Sequence, residues 1–327
     1  MDLELSPEQE EMARALRQRL GQAFGPEARR SAAGLPGALD RGLWAALADA
    51  GTFCLRLPES EGGAGLGWVE AVVAFEELGR AAVPGPLAAT FLAAGLVEGA
   101  DAGRVAVGAC GPLAPGQPGL VEHLEALDHL LVADPSGSLV RLDPARLSAR
   151  PLPRPLDPLT PVHLVEGPLP SGEELAGPPA GETFWRQGAL LCAALQVGLG
   201  AAAVEMAVGH AKSRVQFGRV IGSFQAVKHQ LAEAWVALEV ARSAVWAAAA
   251  TLDEDGPGQD RALAGARLVA SRAARVATRT CVHVHGGLGY TWELDAHLYL
   301  KRAQALDWQF WPPHAAADAL EAGLGRA

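Results

Sequence analysis

The segment SRVQFGRVIGSFQAVKHQLAEAW, residues 213–235, sets Arg214, Gln216, Phe217 and Gly218 between two long apolar stretches. An arginine at a helix end can pair bidentately with a phosphate, Gly218 permits close backbone approach, and Phe217 offers an apolar platform for a ring. The four together suit a ligand that is anionic at one end and aromatic at the other. Taken alone, an arginine beside a glycine-containing helix turn is more often a surface cap than a ligand clamp.

A second segment, CVHVHGGLGYTWELDAHLYLKRA, residues 281–303, runs from an apolar helix into Gly286, Gly287 and Gly289. The glycines can cap the helix, or can let the backbone approach a cofactor whose polar groups meet His283 or His285. A metal site is not expected, because residues at i and i+2 point to different sides of a helix and no carboxylate lies at ligand spacing. The chain contains no HExxH, GxSxG or Walker sequence, and GGAGLG, residues 62–67, follows a helix and a Pro-Glu turn rather than a strand. It reads as a plain turn.

These segments must be held by a mostly helical chain. Ser6-Pro7-Glu8-Gln9 is a capping box that opens a first helix, a second is expected near 41–50, and a third over 68–78 with Gly79 as its cap. Between 104 and 165 the pattern changes to short β-like runs, RVAVGAC, HLLVAD, SLVRL and PVHLVEG. Fourteen of the 23 prolines fall between residues 111 and 180, so these strands must be short, at edges, or joined by irregular loops. Ala/Leu-rich stretches over 183–213, 223–252 and 259–285, with a shorter one near 294–309, read as a helical bundle. The expected organisation is an N-terminal helical domain (1–103), a short central β domain (104–167), a linker (168–182) and a C-terminal bundle (183–327).

Composition narrows the partners. With 27 basic against 37 acidic residues the net charge is −10 and no basic run is present, which argues against nucleic acid. The four cysteines lie far apart without a CxxC pair and suit a reducing compartment. An acidic amino terminus without an apolar run suggests a cytoplasmic protein. The apolar stretch 187–204 carries Gln187 and Gln196 between Arg186 and Glu205, so a buried core helix is expected there and no membrane insertion.

Together, RVQFGRVIGSFQAVKHQLAE, HVHGGLGYT and the earlier LPESEGGAGLGWVEAVVAFEELGR resemble the acyl-CoA dehydrogenase family over nearly the whole chain. The order of helices, β domain and helices agrees. The resemblance implies bound FAD, removal of a proton α to a thioester carbonyl, and hydride transfer from the β carbon to the flavin. It also implies an acyl-CoA substrate, assembly with like or unlike dehydrogenase chains, and reoxidation by an electron-transfer flavoprotein. Carried over by position, Arg214, Gln216, Phe217 and Gly218 would reach the FAD diphosphate of a neighbouring subunit, with Phe224 and Gln225 beside it. His283, Gly286 and Gly287 would flank the same cofactor, and Glu76 and Glu77 would serve the scaffold.

The sequence departs from the family at the base. Where an arginine marks the first position used by the family, Arg186 is preceded by Trp185; beyond Arg302-Ala303, which mark the second, stands Trp308–Trp311. Glu182 and Asp307 are the nearest carboxylates and the candidate bases. The β domain is short, with Thr160 its one threonine and no tryptophan between 104 and 165. This pattern resembles the shortened subunits that act as unlike pairs, so the chain is expected to be a dehydrogenase subunit or, alternatively, a catalytically degenerate partner that completes an FAD site. A flavoprotein that uses oxygen on the same scaffold is a further alternative.

Overall fold

The computed structural model describes all residues except 1–3, 35–38, 112–118, 257 and 325–327. Five helices come first: α1 (Pro7–Ala23), α2 (Pro26–Ala33), α3 (Arg41–Asp49), α4 (Trp68–Arg80) and α5 (Leu87–Ala93). The capping box forms, with the Ser6 hydroxyl accepting from Gln9 N and the Gln9 side chain accepting from Ser6 N.

Gly79 was expected to end α4 but lies inside it. A β-carbon there would stand 2.1 Å from the Leu195 carbonyl oxygen, so this glycine serves close helix contact rather than a cap. Gly198 makes the reciprocal approach, with the Glu76 carbonyl 1.9 Å from where its β-carbon would be.

The central strands are β1 (Val107–Cys110), β2 (Gly119–Glu122), β3 (His129–Ala133), β4 (Leu139–Leu142), β5 (Ala149–Pro151), β6 (Val162–Val165) and β7 (Glu173–Ala176). They form one sheet in the order β1-β3-β4-β7 and another in the order β2-β6-β5. Pro151 lies on the edge strand β5, where a missing N–H breaks no central ladder. The expected linker is corrected by β7, which pairs with β4 as an edge strand. Its EELA sequence has no alternating apolar face to announce it.

The bundle contains α6 (Ala180–Ser213), α7 (Gln225–Asp253), α8 (Gln259–His285), α9 (Ala296–Ala305) and α10 (Pro313–Leu324). The apolar stretch within α6 is buried, as expected of a core helix. The helical regions at the two ends of the chain share one core, in which Trp44, Phe75 and Leu78 join Leu190, Leu238 and Ala274.

Polar contacts fasten the same seam. Asp253, ending α7, accepts from Trp68 N at 2.7 Å and caps α4 from across the molecule. Glu76 pairs with Arg242 at 2.9 Å and Glu77 with Arg17 at 2.6 Å, which gives this acidic pair the expected scaffold role. Burial pushes the Glu76 carboxyl upward, while the Arg242 charge and its hydrogen bond oppose that shift.

Candidate functional site

Between α6 and α7 the chain makes a hairpin of β8 (Val215–Gln216) and β9 (Arg219–Val220), joined by Phe217 and Gly218. Both turn residues have positive φ, +54° and +78°, the backbone of a primed two-residue turn that matches strand twist. Glycine adopts this freely, whereas a left-handed phenylalanine costs about 1–2 kcal/mol. Phe217 is nevertheless 91% exposed, so little packing within this chain compensates for the conformation.

The hairpin is tied to both neighbouring helices. Arg214 N donates to His210 O at 2.8 Å, and Ile221 N donates to Arg214 O at 2.8 Å, which closes the hairpin between the end of α6 and the turn that leads into α7. The Phe217 ring meets Phe224 edge-on at 6.1 Å, and the Arg219 guanidinium lies 4.1 Å from the Phe224 ring centroid. The Arg214 side chain is exposed, Gln216 turns its amide to the Val215 carbonyl, and Gln225 is exposed in the first turn of α7.

The end of α8 faces the same region. His283 is exposed, whereas His285 is buried, with its Nδ1 2.8 Å from Cys281 O and its ring 4.2 Å from that of His210. The sequence left the two histidines as alternatives; their burial separates an outward-facing group from one that joins helix ends. Gly286 has φ +61°, and around both Gly286 and Gly287 the space a β-carbon would occupy is open.

A groove of about 360 Å³ runs past Phe217, Phe224 and His283, and a second of about 850 Å³ past His283, Gly286 and Gly287. They share Gln230 and His283. The structure therefore assembles Phe217, Phe224, His283, Gly286 and Gly287 along one rim, with Arg214 and Gly218 on its hairpin. Gln230, Arg279 and Tyr290 also line it and were missed. Gln230 and Arg279 lie inside helical runs, where nothing local marks a polar residue as facing a groove.

The two candidate bases lie elsewhere. The Glu182 carboxylate is exposed and pairs with Arg186 at 3.3 Å. Asp307 accepts from Gln196 Nε2 at 2.7 Å and lies 3.5 Å from Arg275. Neither lines the apolar cleft between the β domain and the start of α5, which is closed on one side by residues 302–310.

Phe310 packs against Phe184 and Trp185, and its carbonyl accepts from Trp185 Nε1 at 3.0 Å. The fully buried Arg267 fastens this stretch, donating to Leu306 O at 2.5 Å, Trp311 O at 2.9 Å and Gln309 O at 3.2 Å.

A carboxyl that the sequence reading missed, Glu122, does face the cleft. Burial pushes its pKa up to about 7, against the opposing effects of a hydrogen bond from Gln309 and the Arg302 charge. It went unseen because β2 is only four residues long and follows the Gly/Pro-rich stretch 111–118.

Residues 6–100 match the acyl-CoA dehydrogenase N-terminal domain and residues 180–309 the acyl-CoA dehydrogenase C-terminal domain. The acyl-CoA dehydrogenase IpdE2 of Mycobacterium tuberculosis is 36% identical over 305 residues, covering 91% of each chain. Another relative, the acyl-CoA dehydrogenase FadE34 of the same organism, is 35% identical over 294 residues, covering 81% of this chain and 40% of FadE34. Among solved structures, a chain of the Tcur3481-Tcur3483 steroid ACAD variant superposes with a TM-score of 0.85 at 25% identity over 98% of both chains. A chain of the Mycobacterium tuberculosis ChsE4-ChsE5 complex gives a TM-score of 0.85 at 22% identity, covering both chains fully.

Proposed function

The chain belongs to the acyl-CoA dehydrogenase family, and from that premise we propose that it is one subunit of a hetero-oligomeric, FAD-dependent dehydrogenase that desaturates an acyl-CoA thioester between its α and β carbons. The observation that carries this reading is the rim itself. Phe217 stands exposed in a costly backbone conformation beside Arg214, across from His283 and two open glycines. A second chain seated against the hairpin would supply the packing that Phe217 lacks.

The residues of the rim fit FAD. Arg214 offers a fork of donors to a diphosphate. Phe217 and Phe224 supply apolar ring faces, while Gly286 and Gly287 admit close backbone approach. His283 presents an exposed imidazole. FAD, when bound, supplies the acceptor for the hydride leaving the β carbon.

The remaining requirement is a base for the α proton, which must reach that proton and hold a suitable pKa. Glu182 and Asp307 are engaged with Arg186 and with Gln196 and Arg275, away from the cleft. Glu122 does line the cleft, but it stands on β2 with its carboxyl accepting from Gln309. We assign the base to the second chain, while this one completes the cofactor site. The paired names of the Tcur3481-Tcur3483 and ChsE4-ChsE5 assemblies support an unlike partner, and the first of these names supports a steroid-derived thioester as the substrate to try first. An electron-transfer flavoprotein is the proposed reoxidant.

The test is to purify the chain alone and co-purified with an acyl-CoA dehydrogenase encoded beside it, then add acyl-CoA thioesters without oxygen. Bleaching of the flavin band is expected only in the mixed assembly. Bleaching by the pure chain would overturn the assignment of the base to the partner.

A further inference from the structure

The two helix ends that frame the rim meet through histidines. His210 lies in the last turn of α6 and His285 in the last turn of α8, with their rings 4.2 Å apart and tilted by 30°. The His285 Nδ1 is 2.8 Å from Cys281 O, an acceptor only, so that nitrogen carries the hydrogen and Nε2 is the site left for a second proton. The C-terminal turn of a helix favours a cation, so each ring by itself has a reason to become charged. Two imidazolium rings in contact repel, however, and the stack denies that charge to both at once.

The surroundings supply no counter-charge. His210 is acted on by His285 from α8 and by Arg214 from the hairpin, both positive when charged. Beside His285, the Cys281 thiol stands 3.7 Å from Nδ1, and burial pushes its pKa up to about 12, so it stays neutral. Ile221 precedes α7, and Val227, Leu231, Ala296 and Leu300 bring the apolar faces of α7 and α9 to the same seam. Among the described residues, no carboxylate pairs with either ring.

We propose that the His210–His285 stack is a pH latch, closed while no more than one ring is charged and opened when both are, so that in mildly acidic solution the Arg214 hairpin comes away from the end of α8. This rests on the reading of the rim as a cofactor site and adds its regulation: the rim holds its ligand near neutrality and loosens in acid. Separated rings titrate near the ordinary histidine value of about 6.5, whereas the stack refuses one of the two protons. The closed form is therefore favoured above that pH and loses ground below it. From about pH 7.5 to about pH 5.5 the ratio of open to closed chains rises by up to about tenfold.

Amide hydrogen exchange on the whole chain reads the latch at Arg214 N, which donates to His210 O, and at Gly286 N, which donates to His283 O. Their protection factors should fall by up to about tenfold between those two pH values, while that of Ala81 N, at the end of α4, falls less. His210→Phe keeps a ring in the stack but cannot titrate, and should show no such fall. Flat protection in the wild type, or an equal fall in His210→Phe, overturns the proposal; the wild-type comparison with Ala81 stands even if the variant misfolds. In the mixed assembly the flavin-to-protein ratio should drop at about pH 5.5 in the wild type and hold in His210→Phe, and an equal drop in both overturns the link to the cofactor. Exchange is read without FAD, so a failed latch is distinguishable from a failed cofactor assignment, which shows instead as unchanged flavin content in Arg214→Ala.

Discussion

The His285 ring lies 4.2 Å from the His210 ring, so the end of α8 that carries Gly286 and the end of α6 that launches the Arg214 hairpin are fastened together. Two segments far apart in sequence thereby form one rim. The His210 pKa is lowered by partial burial and then by His285 and Arg214. Each of these influences favours the neutral form of His210.

Phe217→Asn should stabilise the isolated chain by up to about 1 kcal/mol, because asparagine tolerates left-handed backbone and removes an exposed aromatic ring. The same variant should weaken assembly with a second dehydrogenase chain. Denaturant unfolding reads the first effect and size-exclusion chromatography at several concentrations the second. A destabilised chain with normal assembly would mean that Phe217 packs within its own subunit.

His123 gives a pH prediction of definite sign. Burial first, and the Arg302 charge second, lower its pKa from about 6.5 to about 3, with Asp157 opposing. The unfolded chain therefore binds a proton that the folded chain refuses between those values. Stability should fall as pH drops from about 6.5 toward 3, by roughly 1 kcal/mol per unit from this group. His123 also has positive φ, so His123→Asn is the conservative replacement. Urea midpoints across the range should show a shallower acid slope in the variant; an unchanged slope rejects this origin.

Gly79→Ala and Gly198→Ala should each destabilise the fold by roughly 1–3 kcal/mol, because the added methyl meets backbone rather than a side chain that can move aside. Thermal melts compared with Gly209→Ala, where the space is open, provide the control. Equal melting temperatures in all three would show that α4 and α6 can separate at little cost.

The long helices and the rim were legible in the sequence because each had a local mark: a capping box before α1, apolar periodicity through α6 and α8, and Arg214-to-Gly218 and His283-to-Gly287 as compact motifs. What escaped was set by distant contacts. Gly79 looks like a cap until Leu195 is seen against it, and β7 is a strand only because β4 offers it an edge. Glu122 was hidden for the same reason: a carboxyl in VEH carries no sign that Gln309, 187 positions later, will close over it. Burial also divided residues that sequence could not, turning His283 outward and His285 inward.

Glu182→Ala should leave folding and flavin content unchanged, since it removes only a surface carboxylate paired with Arg186, worth at most about 1 kcal/mol. It therefore serves as the reference for the decisive variant.

The most direct test of the account is the flavin-to-protein absorbance ratio of the mixed assembly when only this chain carries Arg214→Ala, against the matched Glu182→Ala assembly. If this chain reaches the cofactor through its rim, Arg214→Ala should lower flavin retention several-fold through a lost charge-assisted pair, while Glu182→Ala retains the full complement. Equal flavin content in the two assemblies, with both intact, would contradict the assignment of the rim to FAD.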